Sequence, residues 1–183
     1  YETLLPKKIK KKSDNIVADF GKETFALLII ENAVPHEEYE IFYGESEEEA
    51  TDTEYTLVHI KIKGQNSYRL NARAFRYINI KGKDTDKISL KAEYEYLPLN
   101  DRAYFTCNKP KISKIWDICA YTFHLNSREF FLDGIKRDRW VWSGDAYQSY
   151  MANNYLFFDN EITKRTILAL LGKPPYEQHI NTI

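Results

Sequence analysis

The residues best able to do chemistry lie together in one stretch, Arg128 to Asp145. It holds the carboxylates Glu129, Asp133, Asp138 and Asp145 and the cations Arg128, Lys136, Arg137 and Arg139. Trp140 and Trp142 stand among them. Cations at this density keep carboxylates ionised at close range or hold them by bidentate pairing. Indole rings add flat apolar faces. Sugar recognition needs this mixture: carboxylates accept hydroxyl donors, and rings cover C–H faces. Glycoside hydrolysis further needs a carboxylic acid that protonates the leaving oxygen. The plain alternative is a structural ion-pair knot with two Trp wedged into a core.

Other candidate sites are thin. His36, His59, His124 and His179 show no metal-ligand spacing, so no metal or cofactor is expected. His124 reads as a structural histidine. Ser143-Gly144-Asp145 is not a nucleophile elbow, and Gly64, Gly82 and Gly134 form no phosphate loop. The acid-rich segment 31–54 has no calcium-loop spacing and reads as a solvated strand edge and loop.

Helices must position the stretch. Asn108-Lys109-Pro110 starts a helix with Pro in its first turn. Ile112, Ile115, Trp116, Cys119 and Phe123 follow at helical spacing, and Asn126 stops it. A second helix is predicted from an N-cap at Asp145 toward Phe158. A third runs from Asn160 to Gly172, with Pro174-Pro175 beyond it. The connection Ser127–Gly144 is long for a helix–helix loop, which itself suggests a role.

The first half reads as β structure. Asn15–Phe20, Phe25–Glu31, Glu38–Tyr43, Tyr55–Lys63, Ser67–Leu70, Arg73–Lys81 and Ile88–Tyr96 are short runs rich in β-branched and aromatic residues. Val58 to Lys63 alternates apolar and polar. Such strands predict an antiparallel β-sandwich or jelly roll. Domains are therefore expected at 1–100 and 101–183. Lys7, Lys8, Lys10, Lys11 and Lys12 read as a solvated tail or a charge-guarded edge strand.

Composition sets the limits. The chain has 183 residues, 29% of them charged and 43% hydrophobic, which indicates a folded globular class. The formal net charge is -1, so no general attraction to nucleic acid is expected. No apolar run is long enough for a membrane-spanning helix. Aromatic residues reach 15%, with 14 Tyr, which suggests a Tyr-rich sandwich core. Cys107 and Cys119 sit among apolar neighbours and read as small buried side chains. The chain starts at Tyr1 and its one Met is Met151, so a processed or excised piece is expected.

The stretch Asp133 to Asp145 resembles the signature of glycoside hydrolase family 78, the α-L-rhamnosidases, roughly D-C-P-x-R-D-E-x-x-G-W-x-G-D. That signature lies in the loop after the first helix of an (α/α)6 barrel. Asp19-Phe20-Gly21 opening a strand, Tyr43-Gly44-Glu45 closing one and Ala74-Phe75-Arg76-Tyr77-Ile78 within a third resemble the β-sandwich that precedes the barrel. Asn108 to Asn126 is similar to the first barrel helix. The sequence departs from the pattern at Gly134-Ile135, where the family has Cys-Pro, and is one residue shorter between Arg137 and Trp142. Aligned from the front, Asp133, Arg137 and Asp138 match, and Arg139 replaces the general-acid Glu. Aligned from the back, Trp142, Gly144 and Asp145 match, and Asp138 takes the place of that Glu. The second alignment is preferred for the acid.

The resemblance implies a fold of β-sandwich plus the first helices of an incomplete (α/α)6 barrel. It implies inverting hydrolysis of terminal α-L-rhamnosides by the parent protein, with this piece inactive alone. Asp138 would be the acid. Asp133 and Asp145 would bind sugar hydroxyls, Arg137 would contact the sugar or orient a carboxylate, and Trp140 or Trp142 would cover its methyl-bearing face. The expected partners are a rhamnose-containing glycoside and the remaining barrel half, with no nucleic acid. A periplasmic or extracellular setting is favoured. The rival readings are a non-catalytic carbohydrate-binding protein and a structural sandwich module.

Overall fold

A computed structural model describes residues 1–56 and 58–172. The chain divides into two compact units, Tyr1–Glu95 and Tyr96–Ile183. The first unit contains β1 (Glu2–Leu4), β2 (Lys8–Lys11), β3 (Asn15–Glu31), β4 (Glu38–Gly44), β5 (His59–Lys63), β6 (Tyr68–Arg69), β7 (Arg73–Lys81) and β8 (Ser89–Tyr94). A short helix, α1 (Glu47–Thr51), follows β4. The strands form one eight-stranded sheet in the order β1-β8-β3-β7-β4-β5, with β2 and β6 also paired to β3. Every pairing is antiparallel.

The sheet is continuous because β3 is continuous. The sequence suggested two strands, Asn15–Phe20 and Phe25–Glu31, parted by a turn at Gly21. The structure has one strand of 17 residues. Gly21 takes φ +89°, and its N–H donates to Asp19 Oδ1 at 2.7 Å. The result is a bulge, with a register shift between Asp19 and Thr24, and not a reversal. Asp19-Phe20-Gly21 thus lies inside a strand and does not open one. Arg76 on β7 bonds both oxygens of Asp19 and fixes the bulge.

Alternation along β3 builds the core. Ile16, Ala18 and Phe20 before the bulge, and Ala26, Leu28 and Ile30 after it, enter the same buried cluster. Ile41, Phe75, Ile78, Ile80 and Ile88 from other parts of the unit join it. Phe75 packs edge-on against Phe20 and Tyr43. Isoleucine dominates where tyrosine was expected: Tyr39 and Tyr43 are buried, whereas Tyr1, Tyr55, Tyr104, Tyr147 and Tyr155 are exposed.

The acid-rich segment contains a helix that periodicity did not signal. Ser46 Oγ accepts the Glu49 N–H at 3.1 Å, and Glu47, Glu48 and Glu49 fill the first turn. Carboxylates are stabilised there by the partial positive charge of a helix N-terminus. Gly44 allows the close fit, since a Cβ at that position would meet the Ala50 nitrogen at 2.5 Å. The lysine-rich N-terminus forms edge strand β2, in which Lys10 pairs with Glu47.

The second unit contains α2 (Pro110–Asn126), α3 (Ser143–Leu156) and α4 (Asn160–Leu171). The turn from α3 to α4 is held by Asn153, which is 1% exposed. Its amide donates to the Asp159 carbonyl at 2.8 Å and accepts the Asp159 N–H at 3.2 Å. Asp159, and not Asn160, caps α4, with its Oδ1 accepting the Ile162 N–H at 2.9 Å. The stripe predicted on α2 is not its buried face: Ile112, Ile115 and Cys119 are exposed. Both cysteines are free and exposed, against the expectation of burial, because their helix and loop present them outward. Pro174-Pro175 and His179 lie outside the described residues.

Candidate functional site

The stretch singled out for chemistry is the α2–α3 connection. Its start is anchored on α4. The Phe131 N–H donates to Thr166 Oγ1 at 3.0 Å, and that hydroxyl donates to the Ile162 carbonyl at 2.8 Å. Arg165 Nε donates to the Glu129 carbonyl at 2.8 Å. The Phe131 ring is buried and stacks on Phe123, which stacks in turn on Phe157. Sequence reasoning missed Thr166 and Arg165, because a Thr on an apolar helix face carries no signal of what it will bond.

Beyond Phe131 the chain forms a clamped loop. The Asp133 N–H donates to the Trp140 carbonyl at 3.0 Å. The Trp140 N–H donates to Asp133 Oδ1 at 2.8 Å. Residues Asp133 and Trp140 thereby close a loop that carries Arg137, Asp138 and Arg139, all exposed. Arg139 takes φ +49°, a left-handed conformation uncommon for a residue with a side chain. Ile135 and Val141 are buried and seat the loop.

Of the six candidates, Asp133 and Trp140 bond each other directly. Arg137 and Asp138 sit at the tip between them. Trp140 is 49% exposed and Trp142 partly buried. Asp145 is not the N-cap. Helix α3 starts at Ser143, Trp142 occupies the cap position without a side-chain bond, and Asp145 lies in the first turn. The Trp142 carbonyl accepts the Ala146 N–H at 2.8 Å, which starts the helix before Asp145. An exposed carboxylate in a first turn is favoured by the helix dipole and stays open to a ligand. Asp133 has one oxygen committed to Trp140 and a second oxygen for other bonds. The tip thus presents an acid, a guanidinium and an indole on a loop fixed at both ends.

His124 has the structural role expected of it. Its Nε2 lies 2.6 Å from Asp101 Oδ1, and its ring packs on Phe157. Among the described residues no group of three or more His, Cys, Asp or Glu could hold a metal ion, and no helix is long and apolar enough to cross a membrane.

Two family models match in succession. Residues 4–80 match the N-terminal domain of alpha-rhamnosidase-like proteins of bacteroidetes, and residues 100–177 match the bacterial alpha-L-rhamnosidase 6 hairpin glycosidase domain. The chain belongs to the α-L-rhamnosidase family of glycoside hydrolases. Solved structures agree on the fold. A rhamnosidase from Klebsiella oxytoca with rhamnose bound aligns at a TM-score of 0.73 and 19% identity, over 90% of this chain and 37% of that one. A family 78 rhamnosidase of Bacillus sp. GL1 gives 0.69 and 20%, over 87% and 18%. The α-L-rhamnosidase of Dictyoglomus thermophilum gives 0.68 and 21%, over 90% and 20%. The chain thus spans well under half the length of these proteins. No curated protein matches at a significant level.

Proposed function

We propose that this chain supplies the β-sandwich (1–100) and the opening helices (101–183) of an (α/α)6 glycosidase domain, in a protein that hydrolyses terminal α-L-rhamnosides with inversion. The observation that carries this reading is the clamped tip, where Asp138 and Arg137 stand between Asp133 and Trp140. In the proposed reaction Asp138 protonates the leaving oxygen. Asp133 and Asp145 accept sugar hydroxyls, and Arg137 orients the sugar or a carboxylate. Trp140 or Trp142 covers the apolar face of the deoxysugar. Inversion needs a second carboxylate roughly 6.5–9.5 Å away to activate water. On this reading that base, and the walls enclosing the exposed Asp138, come from barrel helices outside these 183 residues, so the isolated chain hydrolyses nothing.

The test is the full-length parent, wild type beside Asp138→Asn, on an aryl α-L-rhamnoside. A loss of about 10²-fold or more is expected for a missing general acid. Equal activity of the two proteins would place the acid elsewhere, and turnover by the isolated chain would refute its predicted inactivity. The exposure of Asp138 favours a second reading, a loop that binds sugar without cleaving it. Sugar binding by a parent that shows no hydrolysis would select it.

A further inference from the structure

Helix α2 carries a hollow that the loop does not use. Trp116, Ala120 and His124 follow one another at four-residue spacing, and the small Ala120 leaves a gap between two rings. Across the gap runs the segment Asp101–Tyr104, and the two enclose a cleft of about 570 Å³. That volume is within the range of small-molecule sites.

The two walls are tied to each other and to α3. Asp101 bonds His124 at 2.6 Å. The Arg102 N–H donates to the Leu156 carbonyl at 2.8 Å. Phe105 packs on Trp116 at 6.0 Å between ring centroids, and the Cys107 N–H donates to Ser113 Oγ at 3.1 Å. The cleft therefore belongs to the fold of this unit.

Its chemistry selects the ligand. Asp101 is engaged by the His124 ring through a hydrogen bond, and Asp117 and Arg102 present one charge of each sign. A net charge on the ligand gains nothing from that balance. A purely apolar ligand would strip water from both groups without replacing their bonds. A neutral polyol meets both conditions, with hydroxyls for Asp117 and Arg102 and a C–H face for the Trp116 indole. Tyr104 and Tyr121 flank it with rings that also carry hydroxyls. We infer that this cleft is a saccharide-binding subsite for one or two neutral sugar rings, separate from the loop.

The separation follows from α3. Arg102 is tied to the last residue of that helix, and the loop leads into the first. Fourteen residues at about 1.5 Å each put roughly 21 Å between the two ends. A sugar held in the cleft is not the one at Asp138. The cleft would anchor a neighbouring part of a larger glycan, and the inference holds whether or not the loop cleaves.

Calorimetry on the full chain, with methyl α-L-rhamnoside and cellobiose as probes, tests it. Ala120→Leu fills the hollow with a good helix former, and Asp117→Ala removes an exposed acceptor. Each should weaken binding of at least one probe about tenfold or more, with Lys8→Ala, on strand β2 of the other unit, unchanged. Should Ala120→Leu fail to fold, Asp117→Ala and Trp116→Ala decide. The inference is overturned if neither probe binds, if these variants bind like wild type, or if Asp138→Asn alone abolishes binding. The last result would move the sugar to the loop and leave the proposed function standing.

Discussion

The two units handle apolar surface in opposite ways. The β unit turns its apolar side chains into one cluster, with Ile16, Leu28, Ile30, Phe75, Ile78 and Ile80 fully buried. The helical unit leaves Ile112, Ile115 and Ile118 exposed on α2, Tyr147, Tyr150 and Tyr155 on α3, and Ile167, Leu168 and Leu171 on α4. Large contiguous exposed apolar surface marks an interaction face. The β unit thus closes its core from its own sequence, whereas the helices leave large apolar side chains on their surfaces. Beside the stacked rings of Phe123, Phe131 and Phe157, polar pins hold the helices among the described residues: Asn153 and Asp159 at the α3–α4 turn and Thr166 within α4.

Three substitutions probe that contrast. The largest effect is expected from Phe75→Ala, which leaves a cavity between Phe20 and Tyr43. It should cost the β unit about 3–5 kcal/mol in urea denaturation. A helical signal that melts separately sharpens the contrast, and a single shared transition breaks it. Thr166→Val keeps the shape of the side chain but orphans the buried Phe131 N–H. A loss of about 1–3 kcal/mol is expected, confined to the helical transition. An unchanged midpoint would mean that the pin carries no weight.

The smallest effect concerns Asp19. Its hydrogen bonds from Arg76, and then the Gly21 N–H, hold its carboxyl below the ordinary carboxylate range against the opposing effect of burial. A depressed folded pKa contributes stability above the unfolded value, about 3.9. That contribution is lost as pH falls through the lower folded value. Asp19→Asn should therefore lower the β-unit midpoint by about 1 kcal/mol near neutrality. The gap to wild type should close in strong acid. A gap that persists there would assign the effect to packing.

Strand β5 was legible from its strict alternation, whereas β4 and β7, which bury consecutive residues, were legible from β-branched and aromatic residues bounded by turns. The helix bounds of α2 and α4 were legible from Pro110 and Gly172. The continuity of β3 was hidden, since a glycine in a bulge and a glycine in a reversal look alike until Asp19 and Arg76 are seen to meet. Helix α1 was hidden because its acids serve a helix start and show no apolar stripe. At the site, residue types announced the loop, but the Asp133–Trp140 clamp and the Thr166 anchor are long-range pairings without local pattern. Asp145 was misplaced as a cap because its residue type suits that position, whereas Trp142 was selected by the path of the loop.

The pairing of β1 with β8, Glu2 beside Tyr94, sets an order of events during synthesis. Within this unit β1 leaves the ribosome before the other strands, and its partner among the described residues stands at the far end of the unit. At about 5–20 residues per second, β1 waits on the order of 5–20 s for that partner. Through that interval its backbone groups, and the facing edge of the incomplete sheet, are open to other chains. The brevity of β1 and the lysines of β2 then serve the nascent chain as much as the finished one, by giving a passing strand little to bind.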